Sequence, residues 1–274
     1  MAAAIAFVLG LVVGSFLNVC IWRLPRHESL LWPPSHCPAC GVRLLWRDNI
    51  PLLSFLLLRG RCRRCGVRIP WFYPVVECLT ALAFSACIDR FGLTAEAAKW
   101  IVFCCLLIVL SFTDLQRRLL PDRVNFFGLA AGLLFSLIVE LHDDAGGWLF
   151  AAIFHHSLPL RLTAVADASL GAIVGGGILW LFAEGYFRLR GREGMGLGDV
   201  KMMLMAGTFL GVRRTMLMLL IGSLLGTVAG LFMIWALKRG RDYPLPFGTF
   251  LGAAGLLIVF FWEPSQGRTF PGTF

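Results

Sequence analysis

Apolar residues run along this chain in blocks longer than a soluble core needs. The first, 2–22, carries no charged side chain and is about 20 residues long, enough to cross ~30 Å of hydrocarbon. Seven more blocks follow, and they predict helices near 73–88, 99–112, 125–141, 170–188, 200–210, 216–237 and 247–261. The pattern is that of an all-α polytopic membrane protein with about eight transmembrane helices. Between the first two spans the pattern breaks. Residues 23–72 hold nine Arg against two acids, Glu28 and Asp48, with several Pro and two CxxC pairs, so a small polar domain is inserted there. Its one apolar run, 50–58, is too short to span and suits a surface segment or a packing segment under the cysteines. The chain divides into a first helix (1–24), the insertion (25–72) and a seven-helix membrane domain (73–274). Residues 142–167 have mixed polarity and predict an interfacial helix. The adjacent His155 and His156 there lack the partners a metal site needs. The chain shows no repeat and no low-complexity tract.

Composition agrees with the pattern. Of 274 residues, 58% are hydrophobic and 15% charged, against ~25% charged in soluble domains; mean hydropathy is +0.78. The net charge of +9 is almost all Arg, with Lys only at 99, 201 and 238. In a membrane protein such an excess reports cytoplasmic loops and membrane lipid, with no nucleic-acid partner implied. The basic clusters follow spans one, three, five and seven, which puts those loops in the cytoplasm and both termini on the other face. Arg213 and Arg214, in a short opposite loop, are the exception. No Lys or Arg precedes Arg23, so the first block is expected to be a true span and no signal peptide.

Acids at a membrane edge are costly unless they have a task or a partner. Asp199 follows a glycine-rich run, Gly194-Met195-Gly196-Leu197-Gly198, and precedes an apolar segment. Asp114 ends the third span. The predicted topology brings both to the cytoplasmic edge. If they meet, two close carboxylates share a proton, and such a pair hydrolyses a peptide bond with neither metal nor covalent intermediate. The structural alternatives are a helix cap for Asp199 and a pairing with Arg117 or Arg118 for Asp114. Asp122, after Pro121, ranks second to Asp114 and suits a helix N-terminus. Lys201 is expected on another helix face, as an interfacial anchor. Asn18, a polar group inside the first span, bonds to a neighbouring helix or faces a site.

Cys37, Cys40, Cys62 and Cys65 form two CxxC pairs separated by 21 residues. They have the look of a closed structural zinc site with four thiolate ligands, with a redox dithiol or plain cysteines as the alternative. The other five Cys (20, 78, 87, 104, 105) lie in apolar segments and are expected to pack.

These features together resemble the type IV prepilin leader peptidases, which also serve type II secretion pseudopilins. The resemblance rests on GSFLNVCIWRLP (14–25), the paired CxxC knuckles, Asn49-Ile50-Pro51, Gly60-Arg61-Cys62, Tyr73-Pro74 with Glu77, the 114–122 segment, GMGLGDVK (194–201) and Pro246-Phe247-Gly248. It covers nearly the whole chain. It implies a bacterial inner-membrane aspartyl protease of the GxGD type with Asp114 and Asp199 as the catalytic pair. Such an enzyme cuts prepilins or pseudopilins on the cytoplasmic side and N-methylates the new terminus with S-adenosylmethionine. Asp48 and Glu77 are the acids that could orient the methyl transfer. Asp48 stands where the family often has Glu, and Phe72 where it often has Arg. The Phe72 change motivates a second reading, a peptidase without methyl transfer. A non-enzymatic scaffold or transporter with a zinc-stapled loop is the reading of another class.

Overall fold

The structure, a computed structural model, describes residues 1–261 except 140, 142–144, 146, 147, 150, 151, 153–158, 193, 237 and 239–244. Its helices are α1 (Ala2–Arg23), the short α2 (Leu53–Leu57), α3 (Phe72–Phe91), α4 (Ala95–Arg117), α5 (Asp122–Ser136), α6 (Leu160–Arg190), α7 (Leu197–Trp235) and α8 (Phe247–Phe261). No strand occurs among the described residues. Helices α1, α3, α4, α6 and α7 are long and apolar enough to cross a membrane. His155 and His156 lie outside the described residues, as does half of the segment 142–167 expected to hold an interfacial helix; its last part, 160–167, belongs to α6.

Two boundaries differ from expectation. Helix α6 begins at Leu160, ten residues before the predicted span, because Asp167 is inside the helix and fully buried. The predicted sixth and seventh spans are one element, α7, broken only at Gly211 (φ 74°, ψ −174°). That φ is open to glycine at little steric cost. The break reverses the chain: a Cβ on Gly175 of α6 would meet both Met203 and Thr215, one on each arm. Arg213 and Arg214, expected in a loop, lie in the second arm. With the two arms counted separately, the described residues hold eight long helical rods, each overlapping one of the eight predicted regions.

In lipid, burying apolar surface brings no net gain between helices, so close packing decides which helices pair. Glycine stripes set the pairs. A Cβ on Gly10 of α1 would fall 2.6 Å from Ala81 Cα of α3, and one on Gly14 2.7 Å from Glu77 Cα, so α1 and α3 run antiparallel in contact. A Cβ on Gly171 of α6 would lie 2.5 Å from the Gly207 carbonyl oxygen of α7. Helix α4 is central: Phe103, Leu107 and Leu110 have no exposed surface, and Phe103 stacks on Phe209 of α7 with ring centroids 4.9 Å apart. Helix α8 lies antiparallel to α4, with Gly252 against Ser111 and Gly248 against Asp114.

The insertion contains a repeat that the sequence reading missed. Cys37-Pro38-Ala39-Cys40-Gly41-Val42-Arg43 and Cys62-Arg63-Arg64-Cys65-Gly66-Val67-Arg68 share the pattern CxxCGVR. Both fold alike. The Cys37 and Cys62 N–H groups donate to Val42 and Val67 (3.0 and 2.9 Å), and the Gly41 and Gly66 N–H groups donate back to Cys37 and Cys62 (2.8 and 3.0 Å). Gly41 and Gly66 take φ 68° and 69°, the left-handed turn that closes each knuckle. Buried Arg23 anchors the start of the insertion, donating to the carbonyls of Ser29 (2.8 Å) and Pro33 (2.6 Å).

Candidate active site

Asp114 lies in the last turn of α4, where its charge faces the negative end of its own helix dipole. The first turn of α8 compensates: Asp114 Oδ2 accepts from the Thr249 N–H at 2.8 Å and the Thr249 hydroxyl at 3.1 Å. Asp114 is 5% exposed. Its side chain is thus held by α8, and the Arg118 N–H bonds only its backbone carbonyl (2.7 Å).

Asp199 sits in the first turn of α7, the favourable end of that dipole. It does not cap the helix: the N-cap position is Gly196, with no side-chain cap bond. Asp199 is 9% exposed, and its Oδ1 is buried with no hydrogen-bond partner among the described residues. A buried carboxylate oxygen without a partner is costly in a structural role and expected in a group that meets substrate or water.

The two acids, 85 residues apart in sequence, line one cavity of about 460 Å³. Leu24, Pro25 and His27 line it after α1, Arg118 to Arg123 across the α4–α5 turn, Gly196 and Gly198 before Asp199, Leu245 before α8 and Phe247 at its start. Leu120 is wedged between two glycines beside the acids: Cβ atoms on Gly198 and Gly248 would each approach it to 3.0–3.1 Å. A second, mostly apolar cavity of about 680 Å³ is lined by Leu179, Phe182, Gly185 and Tyr186 of α6, Met195, and Leu219 and Ser223 of α7. Phe247 belongs to both walls.

Asp122 is at the rim. It starts α5 and accepts from Lys201 Nζ on both oxygens at 2.8 Å. Lys201 therefore has a specific partner on the neighbouring helix, one that the sequence reading did not name. Asn18 bonds a neighbouring helix: its Nδ2 donates to the Tyr73 carbonyl at 3.0 Å. Thr249 and Leu120 were not singled out by sequence reasoning. The Pro246-Phe247-Gly248 motif beside Thr249 was the available signal.

The sulfur atoms of Cys37, Cys40, Cys62 and Cys65 all lie within 4.8 Å of one another. A tetrahedral ion with ~2.3 Å metal–sulfur bonds needs sulfurs ~3.8 Å apart, and Cys37 Sγ and Cys65 Sγ are 3.8 Å apart. The four thiols fit a metal ion. Backbone N–H groups of Cys65 and Arg64 bring the Cys62 thiol down to about 7, while burial and the neighbouring thiols push Cys65 up to about 11, so without an ion the cluster holds its protons unevenly. Asp48 and Glu77 brace the same insertion. Asp48 pairs with Arg63 of the second knuckle at 2.8 Å, and Glu77 Oε2 accepts from the Leu52 N–H at 2.8 Å. Phe72, at the start of α3, stacks on Tyr73 with ring centroids 4.7 Å apart.

A multi-pass helical membrane protein with two acids in one cavity and a four-thiol cluster in an insertion after its first helix is a narrow class. Residues 8–91 match the family model of the bacterial peptidase A24 N-terminal domain, and residues 101–231 that of the type IV leader peptidase family. A prepilin leader peptidase/N-methyltransferase of Myxococcus xanthus is 40% identical over 86% of this chain and 64% of its own length. Proteins of the same name from Xanthomonas campestris and Aeromonas salmonicida are 36% and 34% identical. Their matches cover 93% and 98% of this chain, and 89% and 94% of those proteins. No solved structure matches. The chain belongs to the type IV leader peptidase family.

Proposed function

We propose that this protein cleaves the leader peptide of prepilins or type II secretion pseudopilins and methylates the new N-terminal amine. Asp114 and Asp199 are the catalytic pair. The observation that carries this reading is that these two acids line one cavity. Because two carboxylates at close quarters cannot both ionise cheaply, one holds a proton. The ionised acid takes a proton from water as the water oxygen bonds to the scissile carbonyl carbon. The protonated acid gives its proton to the carbonyl oxygen; as the C–N bond breaks, the proton gained from water passes to the leaving nitrogen and one hydroxyl proton of the tetrahedral carbon returns to the second acid, which restores the pair. The products are a leader ending in a new carboxyl group and a mature chain with a free amine. The distribution of basic loops supports a cavity at the cytoplasmic face of the bacterial inner membrane. A substrate's apolar helix then lies in the bilayer, and the apolar cavity that shares Phe247 with the acids is its seat.

The four cysteines hold a structural zinc ion, with no open coordination position for chemistry. The N-methyltransferase names of the relatives support methyl transfer, for which S-adenosylmethionine supplies the methyl group. Asp48 and Glu77 are the acids proposed on that side. Each carboxylate offers acceptor sites beyond its bond to Arg63 or to Leu52, which suits a ligand carrying an ammonium group. The direct test incubates the purified protein with a prepilin-type substrate and measures cleavage and the mass of the mature terminus. Asp114→Asn and Asp199→Asn should each leave the substrate uncut. Full processing by either variant overturns the pair. A mature terminus lacking the added CH2 mass favours the peptidase-only reading that Phe72 motivates.

A further inference from the structure

Asp114 is fixed from outside its own helix. Two bonds converge there, the Thr249 N–H to Asp114 Oδ2 (2.8 Å) and the Thr249 hydroxyl to the same oxygen (3.1 Å), and the same hydroxyl also donates to the Ser111 carbonyl (3.0 Å). Ser111 lies one residue short of a turn before Asp114 on α4. Thr249 therefore grips α4 at two points and aims one carboxylate oxygen at the N-terminus of α8. The approach depends on Gly248, where a Cβ would stand 3.2 Å from Oδ2. Among the described residues, Asp199 Oδ1 has no hydrogen-bond partner.

We propose that Thr249 is a positioning residue for Asp114 in peptide hydrolysis, holding Oδ2 as a hydrogen-bond acceptor so that proton exchange uses Oδ1. The proposal rests on the reading of Asp114 and Asp199 as the catalytic pair. A backbone N–H can only donate, so Oδ2 stays an acceptor whether Asp114 is ionised or neutral. The hydroxyl's single proton is shared between Oδ2 and the Ser111 carbonyl, and the carbonyl keeps the Thr249 side chain from turning away. A proton that Asp114 gains or gives up during the cycle therefore sits on Oδ1. No bond to Thr249 has to break for that transfer, and the carboxyl group keeps its orientation while its charge changes. Fixed orientation of a reacting group is a large part of enzymatic rate.

The test compares kcat and KM for cleavage of a prepilin-type substrate by purified wild type, Thr249→Val, Thr249→Ser and Asp114→Asn. Valine keeps the shape and the backbone donor but removes the hydroxyl. T249V is expected to lower kcat roughly tenfold with KM within about twofold, because a hydrogen bond to a charged group is lost from the reacting acid. T249S, which restores the hydroxyl, is expected within about twofold of wild type. Wild-type kcat in T249V overturns the proposal, as does a T249S as slow as T249V. Should T249V fail to fold, T249A carries the same test with the same two outcomes. Cleavage by D114N would instead sink the catalytic pair, so the two failures are distinguishable.

Discussion

Gly248 offers a test of how tightly the site is built. In Gly248→Ala the new Cβ would stand 3.0 and 3.1 Å from the Leu120 methyls and 3.2 Å from Asp114 Oδ2. The methyls can swing aside. The oxygen cannot move freely, because it is bonded twice to the next residue, Thr249. Restoring an ordinary contact moves it by about 0.3 Å. At a cost of ~100-fold per Å of misplacement, that shift is worth roughly fourfold in kcat. Lengthening a charge-assisted bond worth ~1.5–3 kcal/mol by the same amount adds about 0.5 kcal/mol, a further twofold or so. The sum is a fall in kcat of about tenfold. Stability should move little, since alanine's higher helix propensity (up to ~1 kcal/mol) offsets a contact that Leu120 relieves. The assay is kcat of prepilin-type cleavage alongside the thermal midpoint in detergent. Gly177→Ala is the control, because a Cβ at Gly177 of α6 meets nothing within 4 Å. A G248A variant with wild-type kcat would refute the tight placement of Asp114.

Other outcomes follow from the same geometry. Lys201→Met removes the pair with Asp122, whose partners' side chains are 32% and 55% exposed; exposed pairs are worth ~0–1 kcal/mol, so cleavage should fall less than about fivefold. A hundredfold loss would bring Asp122 into the chemistry. Gly185→Leu, at a position where a Cβ meets nothing within 4 Å, adds bulk to the lining of the apolar cavity, so it should raise KM for substrates with an apolar helix and spare short peptides spanning the cleavage bond. Equal effects on both would mean that the cavity does not seat the helix. Glu77→Gln weakens the tie to Leu52 (2.8 Å) and should reduce methylation, read by mass, while cleavage persists; a parallel loss of both activities would count against the division of labour. Changing Cys37 and Cys62 to Ser should abolish bound zinc in metal analysis and make 25–71 protease-sensitive, with helix content nearly unchanged. Retained stoichiometric zinc would remove the four-cysteine assignment.

Hydropathy made the spans and the insertion legible, because a helix crossing lipid needs a long apolar run. It misplaced features that depend on a partner. Arg213 and Arg214 suggested a loop, yet Arg214 lies over the Trp100 ring at 5.8 Å, with Lys99 on the same indole at 4.6 Å. Those aromatic faces let the cations lie along helices, and Gly211 makes the reversal in one residue. The start of α6 was hidden because Asp167 interrupts the apolar pattern while being fully buried. Lys201 was judged by its own helix, where it cannot reach Asp199. Its partner is on α5, which runs alongside the first arm of α7. The CxxCGVR repeat was visible as letters, but its meaning lies in the left-handed glycine after each second cysteine.

The acids themselves show why candidate residues were readable and their support was not. A carboxylate beside glycines or at a span's end stands out in any apolar chain, so Asp199 and Asp114 were found from their positions at the ends of predicted spans, and the resemblance paired them. What steadies each depends on helix direction. Asp199 begins α7, and its own helix dipole favours its charge. Asp114 ends α4, where its own helix opposes that charge, so another helix must supply the donors. Only a helix running antiparallel to α4 can bring its N-terminus there, and α8 does so. It can come that close because Gly252 faces Ser111 and Gly248 faces Asp114. Thr249 thus takes its importance from the direction of a helix more than a hundred residues further along the chain. No local pattern around Asp114 encodes that direction, whereas the alternation of spans across the bilayer does.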